Sequence, residues 1–373
     1  GLTGGRNGGG HNRWSSVDSP PIIPRSPIVS FQVTLQPAER VFGVESDEPI
    51  LTAAIRQGIG LPYGCKDGAC GSCKSRLLEG RVVHGTHQLR TLTREEEDAG
   101  WILTCCARPQ TDCVVQARTV AGAGDYPVQK MPARVASLER VAPDVVLMKV
   151  QLPATVAFKY RAGQYVEFIL RDGARRSYSM ANAPEHLGNP PMIELHLRHM
   201  PGGKFTDHVF GAMKEKEILR MEGPLGSFFL REDSDKPIVL LASGTGFAPI
   251  KAIIEHMRSA GIARPALLYW GCRRKADLYL HGWAQQAAAS MPNLRYMPVL
   301  SDAPPEDAWD GRTGFVHQAV MADLPDLSGH EVYACGTPVM VEAAQRDFSA
   351  RCGLPADAFY ADSFTSEADK HGP

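Results

Sequence analysis

The sequence lacks several features that would each indicate a particular class of protein. Among its 373 residues no apolar run approaches the roughly 18 residues that a membrane span requires, so we expect no membrane-spanning helix. The formal net charge is only −1, which gives no general electrostatic reason to expect nucleic acid or an anionic membrane as a partner. We expect no secretory leader, and the sequence shows no organised Ser-His-Asp or metal-hydrolase pattern. We therefore expect a cytoplasmic protein that does not rely on hydrolytic chemistry.

Residues 1–28 contain few apolar positions, whereas six Gly, four Pro and four Ser fall within them. Such a segment cannot bury enough surface to offset the entropy of ordering, so we expect a disordered tail. Beyond it, the patterns described below predict a first unit over 29–121, a linker over 122–130, a second unit over 131–234 and a third unit over 235–373.

Cysteine is the most informative residue type. Cys65, Cys70 and Cys73 follow the spacing C-x₄-C-x₂-C, and Cys105 comes after a further 31 residues. This is the ligand spacing of a plant-type 2Fe-2S cluster, in which one loop supplies three thiolates and a distant position supplies the fourth. Glycines at 64, 68 and 71 suit such a loop because they allow left-handed or crowded backbone and leave amides free to point at sulfur.

Other roles for these residues fit less well. A structural zinc site usually has two paired clips, and here the second is missing because Cys105 and Cys106 are adjacent. Nine cysteines, an odd number, disfavour a disulfide framework. His84 and His87 would suggest Rieske ligation only if they replaced two cysteines, so we expect them on a solvated loop. The acidic run at 95–98 predicts a solvated helix face, with a partner-docking patch as the alternative.

The hydrophobic patterns of the three units differ. In the first unit, alternation predicts a hairpin over 31–44, a helix after Pro49 and strands near 75–78 and 113–118. In the second, short alternating strands separated by Gly and Pro predict an antiparallel barrel, at 146–152, 165–170 and 193–198. In the third, a continuous apolar run at 238–242 is typical of a buried parallel strand. Strands that alternate with helices then predict a doubly wound α/β sheet, at 266–271, 294–300 and 331–335.

Several short motifs lie at the ends of these predicted strands. Each is weak alone, because a surface turn or an ordinary glycine loop has the same composition. Gly244-x-Gly246-x-x-Pro249 places backbone amides and a helix N-terminus toward a pyrophosphate, although Pro249 stands where the usual dinucleotide fingerprint has a third glycine. Cys335 ends another strand, where a switch-point crevice would hold a ligand, and its alternative role is that of a small buried apolar residue.

Taken in order, the motifs resemble those of reductase components that fuse an N-terminal plant-type ferredoxin to a ferredoxin–NADP reductase-type module. The chain from about 29 to 367 is most similar to bacterial CDP-6-deoxy-glucoseen reductases, followed by phenol hydroxylase and methane monooxygenase reductases. The resemblance rests on the cysteine pattern and four runs: Arg176-Ser-Tyr178-Ser179, Gly244-Thr-Gly246-Phe-Ala-Pro249, Tyr269-Trp-Gly271-Cys-Arg273 and Tyr333-Ala-Cys335-Gly336-Thr-Pro338. It implies a β-grasp 2Fe-2S ferredoxin domain, a flavin-binding β-barrel domain and a doubly wound nucleotide-binding domain.

The resemblance also implies a role for individual residues. Leu-Thr-Cys105 resembles the run around the fourth cluster ligand, which favours Cys105 over Cys106 and Cys113. Arg176 would pair with the flavin pyrophosphate, Tyr178 would stack on the flavin ring, and Ser179 would hydrogen-bond the ring nitrogen that accepts hydride. A phosphate cradle formed by Gly203, Lys204 and Thr206 favours FAD over FMN.

For the nucleotide, the resemblance implies a dinucleotide groove, with Cys335 and Gly336 near the nicotinamide and Phe364 against the flavin face. The groove would be lined by Gly244, Thr245, Gly246 and Pro249. Arg273 begins a cationic run that would read a 2′-phosphate if NADPH were bound, or would otherwise be a solvated loop. We expect NADH, with NADPH as the alternative.

The expected function is a relay from NADH through FAD and the 2Fe-2S cluster to an external protein, such as a terminal oxygenase or a sugar dehydrase. Flavin is needed because hydride donors deliver electron pairs whereas the cluster takes one electron at a time. Two alternatives stay open. One is a non-catalytic iron–sulfur carrier or sensor, and the other is a self-contained flavin reductase for a small diffusible acceptor.

Overall fold

A computed structural model describes residues 29–366, so the tail predicted over residues 1–28 lies outside the described part of the chain. The described chain contains three large sheets, each within one of the three units. They differ in kind: one is mixed, one is antiparallel and one is parallel. The hydrophobic patterns predict the antiparallel sheet of the second unit and the parallel sheet of the third, and the resemblance implies the ferredoxin-like first unit.

The first unit is a five-stranded mixed sheet with one helix packed on it, in the strand order β2-β1-β7-β3-β5. Alternation in β1 buries Val33 and Leu35, which pack against apolar residues of α1 such as Leu51. Its elements are β1 (Ser30–Gln36), β2 (Arg40–Glu45), α1 (Ile50–Arg56), β3 (Lys74–Glu79), β4 (Val82–Val83), α2 (Arg94–Asp98), β5 (Trp101–Leu103), β6 (Arg108–Pro109) and β7 (Cys113–Gln116).

The second unit is a six-stranded antiparallel sheet in the order β11-β10-β13-β8-β9-β12. A bridge between Met180 and Leu195 joins its two edges, so the sheet closes and leaves few unpaired strand groups. Its first strand begins at Gln129, inside the range proposed as a linker. The elements are β8 (Gln129–Ala142), β9 (Val145–Gln151), β10 (Tyr165–Ile169), β11 (Arg175–Ser179), β12 (Met192–Arg198), α3 (Lys204–Gly211) and β13 (Ile218–Leu225).

The third unit is a six-stranded parallel sheet in the order β17-β16-β15-β14-β18-β19. The strand order reverses between β14 and β18, which opens a crevice at their carboxyl ends. Its elements are β14 (Ile238–Ser243), α4 (Phe247–Ser259), β15 (Ala266–Cys272), α5 (His281–Ser290), β16 (Leu294–Leu300), β17 (Arg312–Thr313), α6 (Val316–Asp323), β18 (Glu331–Gly336), α7 (Pro338–Cys352) and β19 (Phe359–Ser363). No helix within 29–366 is long and apolar enough to cross a membrane.

The second unit contacts both of the others. Tyr165 and Leu225 pack into the apolar core of the first unit, and Phe228 packs into that of the third. Because of these shared cores, the barrel fixes where the first and third units lie relative to each other.

A buried ion network also joins the second and third units. Lys251 of α4 is only 7% exposed, and its Nζ lies 2.7 Å from Glu255 Oε1 and 3.2 Å from Glu194 Oε1 on β12. Glu255 Oε2 accepts a hydrogen bond from the Ala183 amide at 2.9 Å. The charges satisfy one another out of contact with water, so this junction depends on every member being present.

Candidate functional site

The loop at 64–73, called the cysteine loop below, turns its backbone amides toward sulfur. The Cys65 amide donates to Cys70 Sγ at 3.3 Å, and the Cys70 amide donates to Cys65 Sγ at 3.3 Å. Gly68 and Gly71 have φ of +77° and +76°, a region that side chains disfavour. The loop therefore wraps closely around its own thiols, as the spacing predicts.

The fourth thiol is supplied by Cys105, two residues after β5. Its thiol contacts those of Cys65 and Cys73, and hydrogen bonding to Cys105 lowers the pKa of both. The pKa of Cys105 itself is raised, chiefly by its hydrogen bond with Cys106. Cys106 Sγ lies 3.4 Å from Cys105 Sγ, whereas Cys113 Sγ donates to the Thr111 carbonyl at 3.2 Å. Of the three downstream cysteines, Cys105 is thus the one whose thiol contacts the thiols of the cysteine loop. Cys106 Sγ lies beside the Gly68 backbone of the loop and donates to the Thr86 carbonyl at 3.3 Å.

The donor set fits an iron–sulfur cluster in type and number. Four thiols from one tight loop and one distant position are the ligands that a plant-type 2Fe-2S cluster uses. A Cβ at Gly64 would make an ordinary contact, 3.5 Å from Cys70 Sγ, so the backbone at Gly64 lies directly beside that sulfur. Within residues 29–366 no three or more His, Cys, Asp or Glu side chains are arranged to hold a single metal ion. The fit to a cluster therefore rests on the identity of the donors.

His87 supports the cysteine loop, and the expectation that it lies in solvent is wrong. Its side chain is only 10% exposed, and its Nε2 lies 2.9 Å from Glu97 Oε1 of α2. Its Nδ1 is 2.7 Å from the Gly85 carbonyl. A Cβ at Gly68 would come within 2.6 Å of the His87 Cβ, so the two backbones pack closely. One carboxylate of the acidic run is thereby used inside the unit.

The predicted flavin residues lie together on β11. The Tyr178 ring packs 5.5 Å from Phe205, and burial raises the pKa of the Tyr178 phenol. Arg176 Nη1 donates to the Arg175 carbonyl at 2.8 Å. Ser179 is buried, and its Oγ donates to Asp362 Oδ2 at 3.3 Å. This strand therefore presents an aromatic face, a cation and a buried hydroxyl within four residues.

The predicted phosphate cradle lies at the N-terminus of α3. Thr206 Oγ1 donates to the Met200 carbonyl at 3.0 Å, and Lys204 Nζ lies 2.5 Å from Asp172 Oδ2. A Cβ at Gly203 would be 2.7 Å from Thr206 Oγ1, so the turn is closed by the hydroxyl itself. Since both side chains have protein partners, phosphate binding here would draw on the first-turn amides of α3.

The predicted dinucleotide residues meet at the crevice between β14 and β18. A Cβ at Gly246 would lie 2.2 Å from the Cys335 carbonyl oxygen, and one at Gly336 would lie 2.1 Å from Ser243 Oγ. Both glycines are therefore required by the close approach of the two strand ends. Thr245 lies in the short 3₁₀ turn between Gly244 and Gly246, and Pro249 lies in the first turn of α4, where its missing N–H costs little.

Cys335 and Phe364 lie beside this crevice. Cys335 is fully buried, and burial raises the pKa of its thiol. The Phe364 amide donates to the Gly336 carbonyl at 2.7 Å, and its half-buried ring packs against the apolar core that contains Cys335. Phe364 is therefore held next to the strand end that carries Cys335 and Gly336.

Three family models match the chain in succession. They are a 2Fe-2S iron–sulfur cluster binding domain over residues 33–110, an oxidoreductase FAD-binding domain over 132–230 and an oxidoreductase NAD-binding domain over 240–346.

Similar proteins share the whole arrangement. A CDP-6-deoxy-L-threo-D-glycero-4-hexulose-3-dehydrase reductase of Yersinia pseudotuberculosis is 40% identical, over 90% of this chain and 99% of its own. The phenol hydroxylase P5 protein of Acinetobacter pittii is 35% identical, over 85% of this chain and 89% of its own. The crystal structure of the Amycolatopsis cytochrome P450 reductase GcoB superposes with a TM-score of 0.75 at 35% identity, over 90% of this chain and 99% of that one.

The chain belongs to the iron–sulfur flavoprotein reductases. The predicted three-domain fold and the predicted 2Fe-2S, FAD and NAD cofactors are confirmed by these matches. The reductase is an NAD(P)H-dependent oxidoreductase of the electron-transfer type.

Arg273 of the reductase lies in a loop whose charges are largely balanced. Its guanidinium is 80% exposed, with Nη2 3.7 Å from Asp302 Oδ2. The next residue, Arg274, pairs with Glu306 and Asp307, each at 3.2 Å. The cationic run seen in the sequence is thus matched by carboxylates from a loop about 30 residues further on.

Sequence reasoning missed the residue that the three units of the reductase share. Asp362 of β19 is buried, bonds Ser179 of the second unit and pairs in register with Cys335 of the third. A Cβ at Gly64 of the first unit would lie 3.5 Å from Asp362 Oδ1. Burial raises the pKa of Asp362 to about 7, while the bond from Ser179 opposes the rise. The available signal was a lone carboxylate in an otherwise weakly polar strand.

Proposed function

We propose that the reductase takes electrons from NADH and delivers them singly from a cluster held by Cys65, Cys70, Cys73 and Cys105 to a separate protein. When bound, the flavin accepts an electron pair and releases electrons one at a time, which matches a two-electron donor to a one-electron cluster. The residues of the chain bind and orient these groups and keep water from the junction between them.

The observation that carries this proposal is the position of Asp362. It touches the strand assigned to flavin, neighbours the strand end assigned to nicotinamide, and lies beside the cysteine loop. With a pKa of about 7, its carboxyl group can hold a proton at Oδ2 at neutral pH and exchange it through Ser179 Oγ. We propose that Ser179 and Asp362 supply or remove the proton that accompanies the electron pair.

The charges near Arg273 support NADH over NADPH. A 2′-phosphate placed there would have to compete with Asp302, Glu306 and Asp307, which already neutralise the neighbouring guanidinium groups. A ribose hydroxyl carries no charge and avoids that competition.

We propose a terminal oxygenase or a sugar dehydrase as the acceptor. Relatives named as reductases for a hexulose dehydrase and for phenol hydroxylase support both classes. We also propose a cytoplasmic location, which is supported by nine cysteines that are all free thiols.

The test is anaerobic mixing of the purified holoprotein with NADH while the flavin and cluster absorbances are followed separately. We expect the flavin band to bleach first and the cluster band to follow, with NADPH much slower at equal concentration. A flavin that does not respond to NADH would instead favour a passive carrier. Bleaching of the flavin alone, with fast turnover of a small acceptor, would favour a self-contained flavin reductase.

The acceptor class is tested by adding a purified oxygenase or a purified sugar dehydrase with its substrate. NADH consumption that requires one of these proteins would identify the class. Equal consumption without either protein would contradict the proposal of a protein acceptor.

A further inference from the structure

The cysteine loop is tied to the barrel by a side chain that directly follows a proposed cluster ligand. Lys66 comes after Cys65, and its Nζ lies 2.8 Å from Glu167 Oε2 on β10. The Glu167 side chain is only 6% exposed, and that of Lys66 is 28% exposed. An ion pair at such a boundary is shielded from water more than a surface pair, so it constrains the loop more strongly.

Glu167 is held in place from the barrel side. Arg175 Nη1 lies 2.7 Å from the same Oε2, and Ser177 Oγ donates to Oε1 at 3.4 Å. Arg175 also pairs with Glu222 on β13. Two cations therefore balance two carboxylates, and Lys66 is the member contributed by the first unit.

Backbone bonds and packing reinforce the same contact. The Tyr63 amide donates to Ser227 Oγ at 2.9 Å, and the Ser227 amide donates to the Tyr63 carbonyl at 3.1 Å. Tyr165, two residues before Glu167, packs into the core of the first unit. The chain just before the cysteine loop is thus held by Ser227, which follows β13, while Tyr165 of β10 packs into the core of the same unit.

β10 is also the strand that pairs with the flavin strand. In the antiparallel register, Glu167 lies opposite Ser177, and Tyr165 lies opposite Ser179. A displacement of the cysteine loop along β10 would therefore change its distance from the proposed flavin residues directly. No other element stands between the anchor and those residues in this register.

We propose that the pair formed by Lys66 and Glu167 is a positioning contact that sets the rate of electron transfer from flavin to cluster. With both groups bound, that step would pass one electron from the reduced flavin to one ferric iron of the cluster held by the four cysteines, and that iron would become ferrous. The proposal rests on the proposed function, because it assigns these residues a part in the same relay. Neither residue touches the reacting atoms; they act through the place that the loop occupies.

The test compares Glu167→Gln with Glu222→Gln in the holoprotein. Both carboxylates pair with Arg175, but only Glu167 pairs with Lys66, and both variants leave the Lys66 charge beside the cluster. In Glu167→Gln we expect NADH to bleach the flavin at the wild-type rate and the cluster to bleach at least about fivefold more slowly. The reduction potential of the cluster should be unchanged, and Glu222→Gln should match the wild type.

A second measurement, amide hydrogen exchange, reports on the pair formed by Lys66 and Glu167 without requiring electron transfer. Lys66→Met and Lys74→Met remove lysines of equal exposure that each make a 2.8 Å ion pair, but the Lys74 pair stays inside the first unit. Loss of a charged hydrogen bond should speed hydrogen exchange at the Tyr63 and Ser227 amides about tenfold in Lys66→Met alone. Lys66→Arg, which can still pair with Glu167, should restore the slow exchange.

Three results would overturn the proposal. Equal cluster bleaching in Glu167→Gln and Glu222→Gln would show that the contact does not set the rate. A shifted potential or lost iron in Glu167→Gln would show that the residue acts on the cluster itself. A wild-type cluster that never bleaches would refute the proposed function and this proposal with it, even if amide exchange responded as expected.

Discussion

Replacing Asp362 by asparagine should stabilise the reductase at neutral and alkaline pH. The wild-type carboxyl group is buried, and its ionised form must lose its hydration while the Ser179 hydroxyl donates a hydrogen bond to it. An asparagine side chain at this position would have nearly the same shape and would never ionise. The substitution therefore isolates the cost of holding a charge at the meeting point of the three units.

The magnitude follows from the pKa of Asp362. Burial raises it from 3.8 to about 7, so the folded protein binds a proton that the unfolded chain has already released. At about 1.36 kcal/mol per pKa unit, ionisation costs the folded state roughly 4 kcal/mol. Because the pKa is higher in the folded protein than in the unfolded chain, the stability of the wild type falls as pH rises from about 4 to about 7. Above pH 7 the full loss of stability has been reached.

The assay is the thermal unfolding midpoint of wild type and Asp362→Asn at pH 5, 6, 7 and 8, at constant cofactor concentration. We expect the variant's advantage to grow with pH and to reach about 8–16 °C at pH 8, using 2–4 °C per kcal/mol for a unit of this size. Asp357→Asn, on the surface of the same unit, is the control and should show no such trend. If the difference in unfolding midpoint between Asp362→Asn and the wild type were the same at every pH, the reasoning would be refuted.

Three further predictions follow from contacts described above. Cys105→Ser should lose the iron and the cluster absorbance while Cys106→Ser retains both, and a cluster bound normally by Cys105→Ser would contradict the ligand assignment. Gly246→Ala must push apart two strand ends, so we expect a loss of about 1–3 kcal/mol in stability and a raised KM for NADH with flavin content unchanged. Lys251→Met leaves the carboxylates of Glu194 and Glu255 without a buried cation. This substitution should lower the free energy of unfolding by about 3–5 kcal/mol. An unchanged thermal unfolding midpoint would show that the ion network is dispensable.

Features encoded over short stretches of chain could be predicted from the sequence. The cysteine spacing determines contacts within ten residues, and the apolar run before Ser243 determines a buried parallel strand, so both were accessible without coordinates. The contact between Cys105 and the cysteine loop needed the resemblance, because three downstream cysteines were candidates. The sequence also predicted that Gly246 and Gly336 line a nucleotide groove. It did not predict that each glycine packs against the end of the opposite strand.

Contacts between distant parts of the chain could not be predicted in this way. Lys66 and Glu167 are 101 positions apart, and Ser179 and Asp362 are 183 apart. No periodicity relates such positions, since their meeting depends on how the sheets pack. The partners of Arg274 illustrate the same limit, because a cationic run alone does not reveal which carboxylates fold back upon it.

Two barrel side chains, Tyr165 and Leu225, complete the interior of the iron–sulfur unit. The iron–sulfur unit is therefore not independent of the barrel. If it were expressed alone, the apolar surface that these two side chains cover would be exposed to water. If it were fused to another flavoprotein, that protein would have to supply apolar side chains of similar shape at the same place. Attempts to redirect this reductase to a new acceptor should preserve the surface that contacts Tyr165 and Leu225 and should change the faces of the unit that are turned away from the barrel.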